Sequence, residues 1–369
     1  MLKAGIIGLP NVGKSTLFNA LTRSHKAPAE NYPFCTIEPN LGVVTVPDPR
    51  LQAIANVVKV GQTIPATIEF VDIAGLVKGA SRGEGLGNKF LSHIREVDAL
   101  VHVVRCFEDP DIVHVAETID PVRDITTVTT ELILADLEAV AKRLERISRD
   151  VKRGDKHALL EAQLLEKYRA HLDLGKPANT LNLPLAPEEK VIVKTFCLLT
   201  DKPVIFAANL REAEAATAGN NPFVMQVREY TRTHHACDTL VVCAQLESDL
   251  GDLSPEEAQD FLKELQITEG SLSALIRSTY QLLGLRTFFT FNDKEVRAWT
   301  IHTGDTASRA AGTIHTDFER GFIKAETVFW EDLVKQGSVA HARDHGLYRI
   351  EGRDYPVRDG DVLLFKFHV

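Results

Sequence analysis

A glycine-rich segment near the N-terminus carries the clearest chemistry in the sequence. Residues 8–16 read GLPNVGKST and fit the pattern G-x-x-x-x-G-K-[ST], in which backbone N–H groups surround phosphate oxygens. We expect Lys14 to reach the β- and γ-phosphates and the Ser15 hydroxyl to bind Mg²⁺. The other phosphate-binding residues that this motif predicts are Asn11, Val12, Gly13 and Thr16. The segment therefore predicts a nucleoside triphosphate site.

Two further segments predict the rest of a phosphate and metal site. Residues 72–75 read DIAG, and a D-x-x-G sequence at this distance after such a loop predicts that Asp72 holds Mg²⁺ through water. The Gly75 N–H is then placed to meet the γ-phosphate. Thr36, in a polar loop over residues 23–40, is the candidate that closes on Mg²⁺, although a plain turn threonine is the alternative.

The residue that orients the attacking water is less obvious. Many GTPases carry a glutamine directly after D-x-x-G, but this chain has Leu76 there. A leucine cannot orient water, so another group or a partner must do so. His114, which follows an apolar strand, and His93 are the candidates, and a structural or surface role is the alternative for each.

Base recognition is predicted at residues 209–212, which read NLRE where GTPases place N-K-x-D. Leu210 replaces the lysine, and Glu212 is one methylene longer than the aspartate that reads guanine. Guanine recognition is therefore in doubt. Adenine offers an acceptor and an exocyclic amine, so Asn209, Leu210 and Glu212 favour ATP.

The elements that position these residues form an α/β pattern. A helical run over residues 16–21 follows the phosphate loop. Apolar, strand-like runs cover residues 4–7, 42–46, 67–72, 99–106, 203–209 and 239–244. The glycine-rich residues 75–87 predict a mobile switch that nucleotide or a partner orders.

A helical pattern interrupts the α/β pattern over about residues 129–200. Its apolar residues repeat in heptad spacing and are Ile133, Leu137, Val140, Leu144, Ile147 and Val151. After a break at residues 154–155, a second set comprises Leu160, Leu164, Leu165, Tyr168 and Leu172. Two long antiparallel helices are therefore predicted.

The first of these helices carries a stripe of basic residues, namely Lys142, Arg146, Arg149 and Arg153. A solvated flank of a coiled coil is one interpretation of the stripe. The other is a patch that binds RNA phosphates.

The C-terminal residues, from about 285, read as a small α+β module. Strands are predicted at residues 288–291, 296–301 and 361–367, with a helix near 307–312. Nothing in this module looks catalytic, so binding is its expected use.

The composition of the chain limits its expected partners and its expected cellular compartment. The chain has 369 residues, 44% of them hydrophobic, and a net charge of −9, so any nucleic-acid contact must come from a local patch. Five scattered cysteines without a CxxC pair suggest a reducing compartment. No signal peptide or membrane-spanning run is evident, and we expect a cytoplasmic protein.

Taken together, these segments closely resemble the YchF subfamily of Obg-related P-loop NTPases over essentially the whole chain. The resemblance rests on GLPNVGKST at 8–16, NYPFCTIEPN at 31–40, VDIAGLVKGA at 71–80, NLRE at 209–212, VRAWTI at 296–301 and GTIHTDFERGFI at 312–323. It implies a G domain over residues 1–128 and 201–284. An inserted α-helical coiled-coil hairpin is then expected at 129–200, and a C-terminal TGS domain of β-grasp type at 285–369.

The resemblance also implies an activity. It implies slow, Mg²⁺-dependent hydrolysis of ATP in preference to GTP, and association with the ribosome or translation factors as a switch in translation or stress response. A histidine at the place of His114 is implicated in that hydrolysis, and Asn11 matches an asparagine of K⁺-stimulated relatives, which makes K⁺ a candidate ion. We expect a monomer. The alternatives are a GTPase of the Obg type and a non-hydrolysing, nucleotide-sensing scaffold that binds RNA or ribosomes.

Overall fold

The computed structural model describes residues 2–24, 40–73, 86–112, 118–235, 237–265, 267 and 269–368. The strands are, in chain order, β1 (Lys3–Ile7), β2 (Leu41–Thr45), β3 (Gln62–Ile64), β4 (Thr67–Asp72), β5 (Ala99–Arg105), β6 (Val204–Asn209), β7 (Thr239–Val242), β8 (Leu285–Phe291), β9 (Glu295–His302), β10 (Phe322–Phe329), β11 (Arg349–Glu351) and β12 (Asp361–Phe367).

The helices are, in chain order, α1 (Lys14–Ser24), α2 (Pro49–Val58), α3 (Leu86–Glu96), α4 (Pro121–Lys152), α5 (Lys156–Asp173), α6 (Pro187–Lys194), α7 (Glu212–Ala215), α8 (Pro222–His234), α9 (Ala244–Leu250), α10 (Pro255–Glu264), α11 (Ser271–Leu282), α12 (Ala307–Ile314), α13 (Thr316–Arg320), α14 (Trp330–Gln336) and α15 (Val339–Asp344). No helix among the described residues combines the length and the apolar character that a membrane span requires.

The described residues divide into two units. The first comprises residues 2–24, 40–42 and 69–275, and the second comprises 43–68 and 276–368. The domain boundaries derived from the sequence stay a prediction.

The first unit is built on a sheet in which β4, β1, β5, β6 and β7 are neighbours in that order. Strand β1 pairs in parallel with β4 and β5, and β6 pairs in parallel with β5 and β7. All seven residues of β5 are buried, as expected for a central strand of a parallel sheet that is covered on both faces. Because these strands are parallel, the loops after β1, β4, β5, β6 and β7 lie at one edge of the sheet.

The long helices α4 and α5 form the predicted hairpin. The predicted apolar residues of both helices pack into one cluster, in which Ile133, Val140, Leu164 and Leu172 are buried. Helix α4 begins at Pro121, ahead of the region near Thr129 in which the sequence pattern turns helical. The Asp120 side chain accepts a hydrogen bond from the Arg123 N–H, and Pro121 occupies the first turn, which together fix the earlier start.

The second unit contains a sheet with the order β11-β10-β12-β8-β9-β3. Strands β8 and β9 and helix α12 confirm the predicted elements with slightly longer bounds, and β12 confirms the predicted strand with the same bounds. Strands β10 and β11 and helices α13 to α15 were not predicted. Strand β3 pairs in parallel with β9, with Gln62 opposite Glu295 and Ile64 opposite Arg297, so a short segment from early in the chain completes this sheet.

Candidate active site

The phosphate loop connects β1 to α1 as the sequence predicts. Gly8 and Gly13 have φ values of +148° and +95°, and Asn11 has a φ of +61°, a region that side chains other than glycine and asparagine rarely adopt. A Cβ atom on Gly13 would lie 2.3 Å from Nδ2 of Asn209. Glycine at position 13 is therefore required by both the backbone conformation and the neighbouring side chain.

Lys14 is buried at the start of α1, with 7% of its surface exposed. Its Nζ donates a hydrogen bond to the Leu9 carbonyl oxygen at 2.7 Å. Burial lowers the pKa of Lys14 to about 8, and the nearby Asp72 carboxylate partly opposes the shift. A buried ammonium that has one carbonyl partner among the residues the structure describes is stabilised further when a phosphate approaches.

Ser15 and Asp72 come together at the predicted metal site. The Ser15 hydroxyl donates to Oδ2 of Asp72 at 2.8 Å, because β4 lies beside β1 with Asp72 opposite Ile6. The other oxygen, Oδ1 of Asp72, is buried and has no hydrogen-bond partner among the described residues. An unpartnered carboxylate oxygen beside a hydroxyl fits a water-bound Mg²⁺.

No group of three His, Cys, Asp or Glu side chains among the described residues is arranged to hold a metal ion.

A cavity of about 600 Å³ lies beside the phosphate loop. Its walls come from the loops that follow β1, β5, β6 and β7. The residues that line it are Asn11, Gly13, Thr16, Phe107, Asp109, Ile112, Asn209, Leu210, Arg211, Glu212, Ala213, Ala244 and Gln245. The structure thus brings the predicted phosphate loop and the predicted base-recognition segment to one cavity.

Asn209 does more than the sequence indicated. Its Nδ2 donates to the Val12 carbonyl at 2.9 Å, and its Oδ1 accepts from the Ala244 N–H at 3.0 Å. The side chain is buried and therefore ties the phosphate loop to the loops after β6 and β7. The second N–H of the amide has no partner within the described part of the chain and is available to a ligand.

Leu210 is buried, and its N–H donates to the Val242 carbonyl. Glu212 is half-buried at the first position of α7. The sequence did not predict that Phe107, Asp109 and Ile112 line the cavity. A signal was present, because this segment directly follows a buried strand and such loops meet at the ligand edge of a parallel sheet.

Several predicted residues cannot be placed. Thr36, Gly75 and His114, as well as Leu76 and most of the predicted switch at residues 75–87, lie outside the described residues. His93 is exposed on α3. The roles predicted for these residues stay predictions.

The fold and the site together define a P-loop GTPase-type α/β domain joined to a second, C-terminal domain. The family model MMR_HSR1, described as a 50S ribosome-binding GTPase, matches residues 3–143. The family model YchF-GTPase_C, described as a protein of unknown function, matches residues 285–368.

Full-length relatives narrow the assignment further. The chain is 52% identical over 368 residues to a Bacillus subtilis protein named ribosome-binding ATPase YchF, with 100% of both chains covered. It is 49% identical over 367 residues to the Escherichia coli O157:H7 protein of the same name, with 100% of this chain and 99% of the relative covered. The chain belongs to the YchF family.

A solved structure agrees with this family. The structure described as the Schizosaccharomyces pombe YchF GTPase superposes with a TM-score of 0.87 at 36% identity, and the match covers 99% of this chain and 97% of that chain.

Proposed function

We propose that the protein hydrolyses ATP to ADP and phosphate with Mg²⁺ and binds the ribosome in a manner that depends on the bound nucleotide. The observation that carries the hydrolase part is that Lys14, Ser15 and Asp72 come together at the edge of the parallel sheet where Asn209 lines the cavity beside the phosphate loop. The names of the full-length relatives, ribosome-binding ATPase, support both parts. A ribosome-bound protein works in the cytoplasm, and we expect a monomer.

The residues of the phosphate and metal site have separate proposed roles. Lys14 and the backbone N–H groups of residues 11–16 hold the β- and γ-phosphates. Ser15 binds Mg²⁺ directly, and Asp72 holds it through water with its unpartnered oxygen. Thr36 is proposed to complete the metal site, Gly75 to contact the γ-phosphate, and His114 to orient the attacking water. K⁺ near Asn11 is a further proposal.

The proposed preference for adenine comes from Leu210 and Glu212 and not from Asn209. Its remaining N–H suits purine N7, an acceptor that adenine and guanine share, so Asn209 by itself does not discriminate. The discriminating residues are Leu210, which supplies an apolar contact in place of lysine, and Glu212, whose carboxylate accepts from the adenine amine. The Schizosaccharomyces pombe relative is described as a GTPase, and guanine specificity is therefore the second candidate.

One titration separates these candidates. Affinity and turnover are measured for ATP and for GTP, with Mg²⁺, in the presence and absence of ribosomes. We expect tighter binding and faster turnover with ATP. A clear preference for GTP would transfer the proposal to a GTPase. Nucleotide-dependent ribosome binding with no turnover of either nucleotide would make the protein a scaffold.

The ribosome contact is proposed for the basic face of α4, defined here as Lys142, Arg146 and Arg149 of the helix and Arg153, which directly follows it. All four side chains are exposed. Lys142 and Arg153 pair with two acids of α4, Glu138 and Asp150 respectively. A groove of about 370 Å³ at one end of this face is lined by Arg95 of α3 together with Lys142 and Arg146. Basic side chains spaced along a helix suit the phosphates of RNA.

The salt dependence of ribosome binding tests the basic face of α4. The double variant R146E/R149E removes two phosphate contacts. The plot of the logarithm of the ribosome-binding constant against the logarithm of the salt concentration should therefore become less steep, by about 1.5 in slope. A matched control, K190E/K194E, reverses two exposed lysines of α6 in the same helical insertion. Equal slopes for R146E/R149E and the wild type would exclude the basic face of α4 as the contact.

A further inference from the structure

The segment Phe107–Ile112 forms one wall of the cavity beside the phosphate loop. It lies outside the sequence segments on which the resemblance to the YchF subfamily rests. It follows β5, and Phe107, Asp109 and Ile112 all line the cavity. Phe107 is 7% exposed. The wall faces the segment 209–213, which the proposed function assigns to the base, so its position bears on how a purine is held.

Arg105 fixes this wall from inside the protein. The side chain is 1% exposed. Its Nε donates to the Phe107 carbonyl at 3.1 Å, and its two terminal nitrogens donate to the carbonyls of Ile112 at 3.0 Å and Asp109 at 3.2 Å. The guanidinium also lies 4.7 Å from the centre of the Phe107 ring. One side chain therefore holds the beginning, the middle and the end of the wall.

This arrangement is expensive for a purely structural purpose. Burying a guanidinium costs several kcal/mol in desolvation, which the carbonyl dipoles and the nearby Asp109 and Asp124 carboxylates repay only in part. An apolar residue at the end of a buried strand would serve the core at lower cost. A rigid fork with several donors, however, can fix three carbonyls at defined positions, and lysine cannot do this.

A second connection holds the wall from the solvent side. Oδ2 of Asp109 accepts from Arg211 at 2.8 Å, with the Asp109 and Arg211 side chains 14% and 49% exposed. Oδ1 of Asp109 accepts from the Asp111 N–H at 2.9 Å. Arg211 lies between Leu210 and Glu212, so the pair joins the wall to the proposed base-recognition segment.

We propose that Arg105 is a positioning residue for the nucleobase, and that the Asp109–Arg211 pair ties the wall it fixes to the segment carrying Leu210 and Glu212. The inference rests on the proposed function in that it takes the cavity to hold a purine nucleotide. It predicts that the wall contributes to binding of the nucleoside part and contributes nothing to binding of the triphosphate part.

Comparing two ligands tests this division. Full-length wild type and R105M are titrated with ATP and with inorganic tripolyphosphate, both with Mg²⁺, by calorimetry. For R105M, we expect the affinity for ATP to fall about tenfold, since three carbonyls lose their donors. The affinity for tripolyphosphate, which contacts only the phosphate loop, should stay within about twofold of wild type. R105K should recover only part of the loss for ATP.

The matched control is R143M. Arg143 also lies over an aromatic ring, at 4.9 Å from the centre of Phe196, and also holds a backbone carbonyl, that of Thr195, but it does so in the helical insertion away from the cavity. Its loss should leave both affinities unchanged. If R105M does not fold, D109N and R211Q provide the same test. D109N retains the acceptor for Asp111 but removes the charge that pairs with Arg211. Each of these two variants should weaken ATP binding about threefold and leave tripolyphosphate binding unchanged.

Other outcomes overturn the inference. Equal losses for ATP and tripolyphosphate would make Arg105 a general support of the fold, and unchanged ATP binding in R105M, or in both D109N and R211Q, would remove the wall from base binding. A different result tests the proposed function itself: wild-type protein that binds tripolyphosphate but gains nothing from adenosine or guanosine would not be a purine nucleotide enzyme.

Discussion

Asn209 provides the sharpest test of how the site is held together. Replacing it with alanine removes the donor to the Val12 carbonyl and the acceptor for the Ala244 N–H. Both backbone groups belong to residues that are 1% exposed, so water does not replace the lost partners readily. A buried backbone group left without a partner costs about 1–2 kcal/mol, which gives about 2–4 kcal/mol of unfolding free energy for N209A.

For a domain of this size that loss corresponds to a decrease in Tm of roughly 5–15 °C, measured by calorimetry or circular dichroism. N209A should also lower the affinity for ligands. Because Asn209 holds the phosphate loop through Val12, N209A should weaken binding of inorganic tripolyphosphate as well as ATP, unlike R105M.

The variant N209D refines the test. Its Oδ1 still accepts from Ala244, but an ionised oxygen replaces the amide and faces the Val12 carbonyl. Protonation restores a donor at that position, so N209D should gain stability relative to wild type as the pH falls from 8 to 5. An unchanged Tm and unchanged tripolyphosphate affinity in N209A would refute the bridging role.

Three further predictions concern neighbouring features. Burial lowers the pKa of Lys14 from 10.5 to about 8, so the unfolding free energy should rise between those two pH values. The affinity for MgATP, which needs the ammonium, should fall above pH 8. In a pH series of melts and titrations, K14M should abolish both trends. G13A should lower Tm and abolish nucleotide binding, since its Cβ collides with Asn209, whereas the control G61A, which meets nothing within 4 Å, should do neither in melts and ATP titrations. Asp136 accepts three buried hydrogen bonds, two of them from Thr200. In D136N an amide nitrogen would oppose one of these donors, so the unfolding free energy in urea should fall by about 2–4 kcal/mol. A loss below about 1 kcal/mol would contradict the role assigned to Asp136.

The features that the sequence predicts well are those with local signals. The phosphate loop is marked by its glycines and Lys14, and the strands of the parallel sheet are short apolar runs bounded by polar residues. The hairpin of α4 and α5 is marked by heptad spacing. Each of these signals lies within the segment that adopts the structure, so no information about distant residues was needed.

The features that the sequence predicts poorly depend on distant contacts. Strand β10 alternates charged residues such as Lys324 and Glu326 with apolar ones, and its pairing with β12 and β11 decides its structure. The bridging role of Asn209 likewise requires Val12 and Ala244, which are far away in sequence. Arg105 is a different case: its three carbonyl partners are near in sequence, but no sequence pattern shows that the chain after β5 curls back over the guanidinium.

The pairing of β3 with β9 has a consequence for synthesis of the protein. Gln62 and Glu295 are separated by 295 − 62 = 233 residues, so the early segment leaves the ribosome long before its partner strand exists. At about 5–20 residues per second, the delay is roughly 10–50 s. During that time the nascent segment that includes α2 and β3 lacks the sheet it belongs to. A fragment that starts at residue 285 does not contain β3 at all, so the edge of β9 that pairs with β3 is exposed in that fragment.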